Sequence, residues 1–130
     1  MATVTVRDET LSGRVIDRWT LPDLPTSITC GELVRLRVRE EVARFNAAMP
    51  DVYTGLVQPT DTESTLNGYR MREKRRLNWE VQADAACVAF GRNGFVMLVG
   101  DHQVEDLDEV IDLSGDPEVS FVKLVPLVGG

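Results

Sequence analysis

Few side chains in this sequence are of types that do covalent chemistry, and their spacing keeps them apart. The one histidine, His102, follows Asp101 in a stretch that reads as a turn. No serine or cysteine nucleophile is placed with it by a recognisable motif, so it reads as a solvated turn residue rather than a general base. Cys30 and Cys87 lie far apart and both fall in helical patterns, which points to two reduced thiols. They form no zinc-ligand spacing. Asp106, Asp108, Glu109 and Asp112 are donors suited to a hard cation, but their spacing is not that of a calcium loop and they read as a solvated acidic turn. Neither a dinucleotide-binding glycine fingerprint nor a P-loop occurs. No catalytic residue, metal or cofactor is assigned, and the chain is read as no enzyme by itself.

What remains is the segment Pro126-Leu-Val-Gly-Gly130. Glycine has no side chain, so a Gly129-Gly130 tail can thread a narrow channel and adopt backbone angles closed to other residues. Its carboxylate can then reach an enclosed active site. A free carboxylate is a poor acyl donor, so chemistry there needs activation, for instance as an acyl-adenylate. Pro126 ends strand pairing, which predicts a flexible tail over 126–130.

The elements that would carry such a tail are legible from periodicity. Thr3–Arg7 alternates polar and β-branched residues as a half-buried strand, and Leu11-Ser-Gly-Arg14 supplies a turn. Val15 to Leu21 alternates again, giving a hairpin that Pro22 and Pro25 are expected to end. Thr29-Cys-Gly-Glu32 matches a capping box, and Val34, Val38, Val42 and Phe45 share one face of a helix from Cys30 to about Asn46. Residues 47 to about 70 read as a long, partly irregular insertion. A second helix is expected over roughly Leu77 to Phe90, with Leu77, Val81, Ala85 and Val88 on one face. Phe95–Val99 is an apolar strand, Gly100-Asp-His a turn, Gln103-Val104 a short strand and Leu107–Leu113 a helical turn. Val119–Val125 is the last strand. This order predicts an α+β fold in a single domain over 1–130.

Composition narrows the partners. At a net charge of −7 the chain is no dedicated nucleic-acid binder, since that role needs clustered cations facing phosphate. Eight acids lie between Asp101 and Glu118 with no Lys or Arg among them. Arg70, Arg72, Lys74, Arg75 and Arg76 form a basic run, read as a solvated helix face and its approach, or else a docking patch for an acidic partner. No stretch has the apolar length of a membrane span, and no basic-then-apolar leader opens the sequence, so a cytoplasmic location is expected.

Together the order of elements and the Gly-Gly tail resemble ubiquitin and the ubiquitin-like β-grasp modifiers, with bacterial ubiquitin-like proteins the nearer comparison. The resemblance rests on the hairpin Thr3–Leu21, the helix segment Pro25–Asn46, and Phe95-Val-Met-Leu-Val-Gly100 followed by Gln103-Val-Glu-Asp106. Asp116 to Gly130 completes it. It departs in an insertion of about 47–91 and in Pro-Leu-Val, instead of basic residues, before the glycines. The resemblance implies a mixed sheet packed on the long helix. It implies adenylation of Gly130 by an activating enzyme with ATP, transfer as a thioester to a conjugating enzyme, and an isopeptide bond to a target amine. A processing or deconjugating protease is implied as a further partner. Two alternatives share the tail or the fold: a sulfur carrier holding a thiocarboxylate, and a non-covalent β-grasp adaptor.

For the core, Val4, Val6, the α-helical face, Val96, Leu98, Val122 and Leu124 are expected to point inward. Phe95, Met97 and Phe121 then lie on the opposite face, either covered by the insertion or exposed as an apolar patch. The candidate recognition surface is Met97, Phe95, Phe121, Lys123 and Leu127. Lys74 and Lys123, the only lysines, are the candidate acceptor amines.

Overall fold

The structure, a computed structural model, describes residues 1–66 and 68–124. Among the described residues ten strands and two helices follow in the order β1 (Ala2–Glu9), β2 (Val15–Leu24), β3 (Ser27–Thr29), α1 (Cys30–Ala48), β4 (Val52–Tyr53), β5 (Thr62–Thr65), β6 (Gly68–Met71), α2 (Trp79–Gly91), β7 (Phe95–Val99), β8 (His102–Val104), β9 (Val110–Asp112) and β10 (Glu118–Lys123). The architecture is α+β, with a mixed five-stranded sheet. Contacts group the described residues into two compact units, Met1–Leu33 with residues 89–124, and Val34–Val88. The second takes in most of α1, so it is wider than the expected insertion of about 47–91.

In the first unit the five strands run β2-β1-β10-β7-β8. β1 pairs antiparallel with β2 and parallel with β10, and β10 and β8 pair antiparallel with β7. Alternation along β1 buries Ala2, Val4, Val6 and Asp8. The register carries that face across the sheet: Val4 lies opposite Leu21, Val6 opposite Val119, Phe121 opposite Met97, and Met97 opposite Val104. All of these are buried.

The phase of β7 and β10 is therefore the reverse of the sequence expectation. Phe95, Met97, Val119 and Phe121 are buried, whereas Val96, Leu98, Val122 and Leu124 are half-buried. Phe95-Val-Met-Leu-Val99 has no polar residue, so alternation within it sets no phase. Glu118 and Ser120 share the half-buried side of β10 with Val122 and mark the wetter face.

β2 continues through Pro22 to Leu24, past the expected stop. β2 is an edge strand, and its register with β1 shifts between the Val4–Leu21 and Ala2–Leu24 pairs, with Asp23 at φ 62°. Proline is tolerated at such edges and bulges because no ladder donor is needed there. The helical turn expected over Leu107–Leu113 is instead strand β9, antiparallel to β3 with Ile28 opposite Ile111. Val110 is exposed, Ile111 buried and Asp112 exposed, a period of two that the coincident spacing of Leu107, Val110 and Ile111 hides.

The capping box forms in a modified way. The Glu32 N–H donates to Thr29 Oγ1 at 3.2 Å, and the Thr29 hydroxyl donates to the Glu32 carboxylate at 2.9 Å. The preceding open helix donors are satisfied elsewhere: Cys30 N–H reaches Glu109 O at 2.8 Å and Gly31 N–H reaches Leu107 O at 2.9 Å. The 107–109 backbone thus closes the helix start that the sequence assigned to side chains alone.

In the second unit the stretch expected to be irregular forms a small antiparallel sheet, β4-β6-β5. Val34, Val38, Val42 and Phe45 of α1 are buried as the spacing predicts. The phase of α2 is not as expected. Gln82, Ala83 and Ala86 are buried, while Val81 and Val88 are 59% and 53% exposed. Ala83 and Ala86 have small side chains and admit close approach, and an inward amide at Gln82 is invisible to a hydrophobic count.

The two phases of β7 predict opposite mutational orders. Met97→Ala should cost about 2–5 kcal/mol, and Leu98→Ala clearly less. Chemical denaturation of both variants checks this, and a larger loss at Leu98 would contradict the observed phase.

Candidate functional site

The expected site residues fall in three places. Gly129, Gly130 and Leu127, with the whole of 126–130, lie outside the described residues. Phe95, Met97 and Phe121 are at 2%, 0% and 0% exposure, so they present no patch to a partner. They are packing residues: the Phe95 ring lies 5.7 Å from Phe90 and 6.1 Å from Phe121. Met97 Sδ is 3.5 Å from the Cys30 thiol. Lys123 is half-buried and faces Phe95 in the register. Of the two candidate acceptor lysines, Lys74 is the exposed one, in the segment between β6 and α2. The basic run ending at Arg76 is thus strand and connecting segment, not a helix face.

Of the titratable groups singled out in the sequence, the structure brings His102 and Glu109 together. Cys30 and Cys87 are not joined in a disulfide, and burial raises the Cys87 pKa, which makes it a poor nucleophile. His102 Nε2 is 2.6 Å from Glu109 Oε2 on an exposed surface. The Ser114 hydroxyl and backbone N–H lower the Asp112 carboxyl. Among the described residues no three His, Cys, Asp or Glu side chains are placed to hold a metal ion. Among them, too, no helix is long and apolar enough to cross a membrane.

Two constellations in the second unit were not anticipated. The first is buried. Arg37, at 1% exposure, pairs with Glu41 one helical turn on. The other Glu41 oxygen accepts from the Tyr53 hydroxyl at 2.8 Å and from Leu56 N–H at 3.1 Å. A carboxylate held by a guanidinium, a phenol and an amide is well satisfied, which is what makes a buried ion pair tolerable. Gly55 passes so close to Tyr53 that a Cβ there would sit 2.0 Å from the ring. Tyr53 also meets the Phe45 ring edge-on at 5.4 Å. This cluster is structural: both oxygens of the Glu41 carboxylate are met from within the unit.

The second is open. A groove of about 450 Å³ is lined by Arg39, Val42, Ala43, Asn46 and Ala47 of α1, together with Arg76 and Trp79. The Arg39 guanidinium lies 5.4 Å from the centre of the Trp79 ring. Asn46 fixes the opposite wall, donating to Leu77 O at 2.9 Å and accepting from Leu77 N–H at 2.8 Å. Asn78 caps α2, its Oδ1 accepting from Glu80 N–H at 2.9 Å. A signal for this site was present in the sequence. Arg37 has Glu41, and Arg44 has Glu40, at the four-residue spacing that forms helical ion pairs, but Arg39 has Arg35 and Ala43.

No protein family, curated protein or solved structure matches the chain. The residues themselves therefore carry the reading of function.

The buried tyrosine gives a pH prediction. Burial, then the Glu41 charge, raises the Tyr53 pKa far above its ordinary value, and burial raises that of Tyr69. Unfolded tyrosine loses its proton near pH ~10 while folded Tyr53 keeps it. Above that pH the unfolded state binds fewer protons, so stability falls as pH rises. In an alkaline titration of a Tyr69→Phe variant, the tyrosinate absorbance of Tyr53 should rise only together with loss of circular dichroism. Tyrosinate appearing near pH ~10 with the fold intact would contradict the buried pair.

Proposed function

We propose that this chain is a ubiquitin-like protein modifier of β-grasp type. It supplies an acyl group and a recognition surface to enzymes that act on it. The supporting observation is the order of the five-stranded sheet, β2-β1-β10-β7-β8, in which the last strand lies beside the first and runs parallel to it. An N-terminal hairpin, a capped helix, a central strand, the turn at Gly100 and a short strand come before that last strand, in the succession on which the resemblance rests.

The chemistry follows from the Gly130 carboxylate. Its oxygen attacks the α-phosphate of ATP, pyrophosphate leaves, and an acyl-adenylate forms. A thiolate of the activating enzyme then displaces AMP to give a thioester. The thiolate of a conjugating enzyme takes over the acyl group, and a target amine displaces that thiolate to form an amide. A protease would hydrolyse the same bond. Gly129 and Gly130 suit the narrow path to the adenylating site because neither has a Cβ. The exposed amine of Lys74 is the better placed of the two lysines to accept a second copy, and self-linked chains would be confined to it, Lys123 and the N-terminus.

The test is the intact mass of the chain after incubation with ATP and a candidate adenylating enzyme. A thiol-sensitive covalent adduct with the enzyme is expected, and deletion of Gly129-Gly130 should abolish it without lowering the melting temperature. Replacement of one carboxylate oxygen by sulfur, the oxygen leaving with AMP, in place of an enzyme adduct would support a carrier. Full biological activity in the deleted chain would show the carboxylate to be idle and favour a non-covalent adaptor.

A further inference from the structure

We propose that the groove between α1 and the Arg76–Trp79 segment binds an acidic peptide segment of a partner protein. Four arginines lie on α1, and three of them are paired: Arg35 with Asp84, Arg37 with Glu41 and Arg44 with Glu40. Arg39 is not. It rests on the Trp79 ring, and neither it nor Arg76 meets a carboxylate among the described residues. The Trp79 indole N–H has no hydrogen-bond partner among them either. Two guanidinium groups and an indole donor therefore line one groove, which has no acidic residue in its wall.

Contact with the indole face restrains the Arg39 guanidinium, whose N–H groups can meet a carboxylate with two parallel hydrogen bonds. The start of α2 lies beside it, and its dipole adds to the attraction for an anion. Ala43 and Ala47 line the groove beside the buried Val42, and both alanines are exposed and small, so backbone can approach α1 closely. The Asn46–Leu77 hydrogen bonds hold the two walls together before any ligand arrives. Little ordering is left to oppose binding.

The shape and the charge of the chain select the occupant. A small ligand is usually enclosed over most of its surface. Here Arg39, Ala43, Ala47 and Arg76 are all exposed, so the groove is open along its side. That suits a segment lying across it. A nucleic acid would extend its phosphates past two arginines and over a protein of net charge −7, within reach of repulsion at a screening length of about 8 Å. A short run of Asp or Glu with one apolar side chain for the alanine side carries fewer charges beyond the two arginines and meets less of that repulsion.

Binding here makes no use of Gly130, so the proposal stands or fails apart from the modifier reading. The experiment titrates the full, isotopically labelled chain with a terminally blocked peptide of Glu and Leu, and with its Gln-for-Glu counterpart. Saturable shifts are expected at the Trp79 indole N–H, the Arg39 Nε–H and the Ala43 and Ala47 amides, and only with the Glu peptide. Arg39→Glu with Arg76→Glu should weaken binding at least about tenfold while leaving the melting temperature and the spectrum of the first unit in place. Shifts of equal size with the Gln peptide, or none at these residues, would overturn the proposal. So would tighter binding of polyuridylate RNA at the same residues, or concentration-dependent shifts there in the chain alone, which would assign the groove to a second copy.

Discussion

The parallel contact between β1 and β10 is the constraint on which the first unit depends. Thr5 to Glu9 run beside Glu118 to Val122, so the first strand of the chain is held by the last. A parallel pair cannot be closed by a tight turn, and everything from the β2 hairpin to β9 is the crossover that this one needs. The contact also determines electrostatics. Arg7 and Arg18 lie opposite each other on β1 and β2, a repulsive arrangement by itself. Glu118 of β10 bonds to both, to Arg7 at 2.9 Å and to Arg18 more closely. These groups are partly exposed, so the ionic gain is modest, but it disfavours registers that place another residue there.

The same contact explains why the sheet offers no apolar patch on its Phe95–Met97–Phe121 face. Parallel pairing sets Val6 beside Val119 and Asp8 beside Phe121, and antiparallel pairing then places Phe121 with Met97. With Val104 opposite Met97, one buried row crosses four strands. That face is closed to a partner. In the second unit the Glu41 carboxylate is satisfied internally, while Arg39, Arg76 and Trp79 keep unused donors at the surface.

How much of this the sequence discloses depends on whether each signal is local. The α1 cap, its Val34–Phe45 face and the β1–β2 hairpin rest on neighbouring residues and were legible. Features set by distant partners were not. β9 takes strand geometry because Ser27–Thr29 pairs with it, against a spacing that suits a helix. Pro22 stays in β2 because the strand is at an edge with a bulge, which only the sheet order reveals. Thr62-Glu-Ser-Thr65 is polar on both faces and has no periodicity to announce β5. The groove was missed for a related reason: Arg39, Arg76 and Trp79 converge only when Asn46 binds the Leu77 backbone.

Native-state hydrogen exchange tests the central role of the β1–β10 contact most directly. The amides of Val119 to Val122 should be among the slowest in the first unit, together with those of Val4 to Asp8. Both sets should respond to denaturant with the slope of global unfolding. Edge amides of β2 and β8 should open by smaller fluctuations. Exchange of the β10 amides through a low-energy local opening, while the β1–β2 hairpin keeps its protection, would contradict the account.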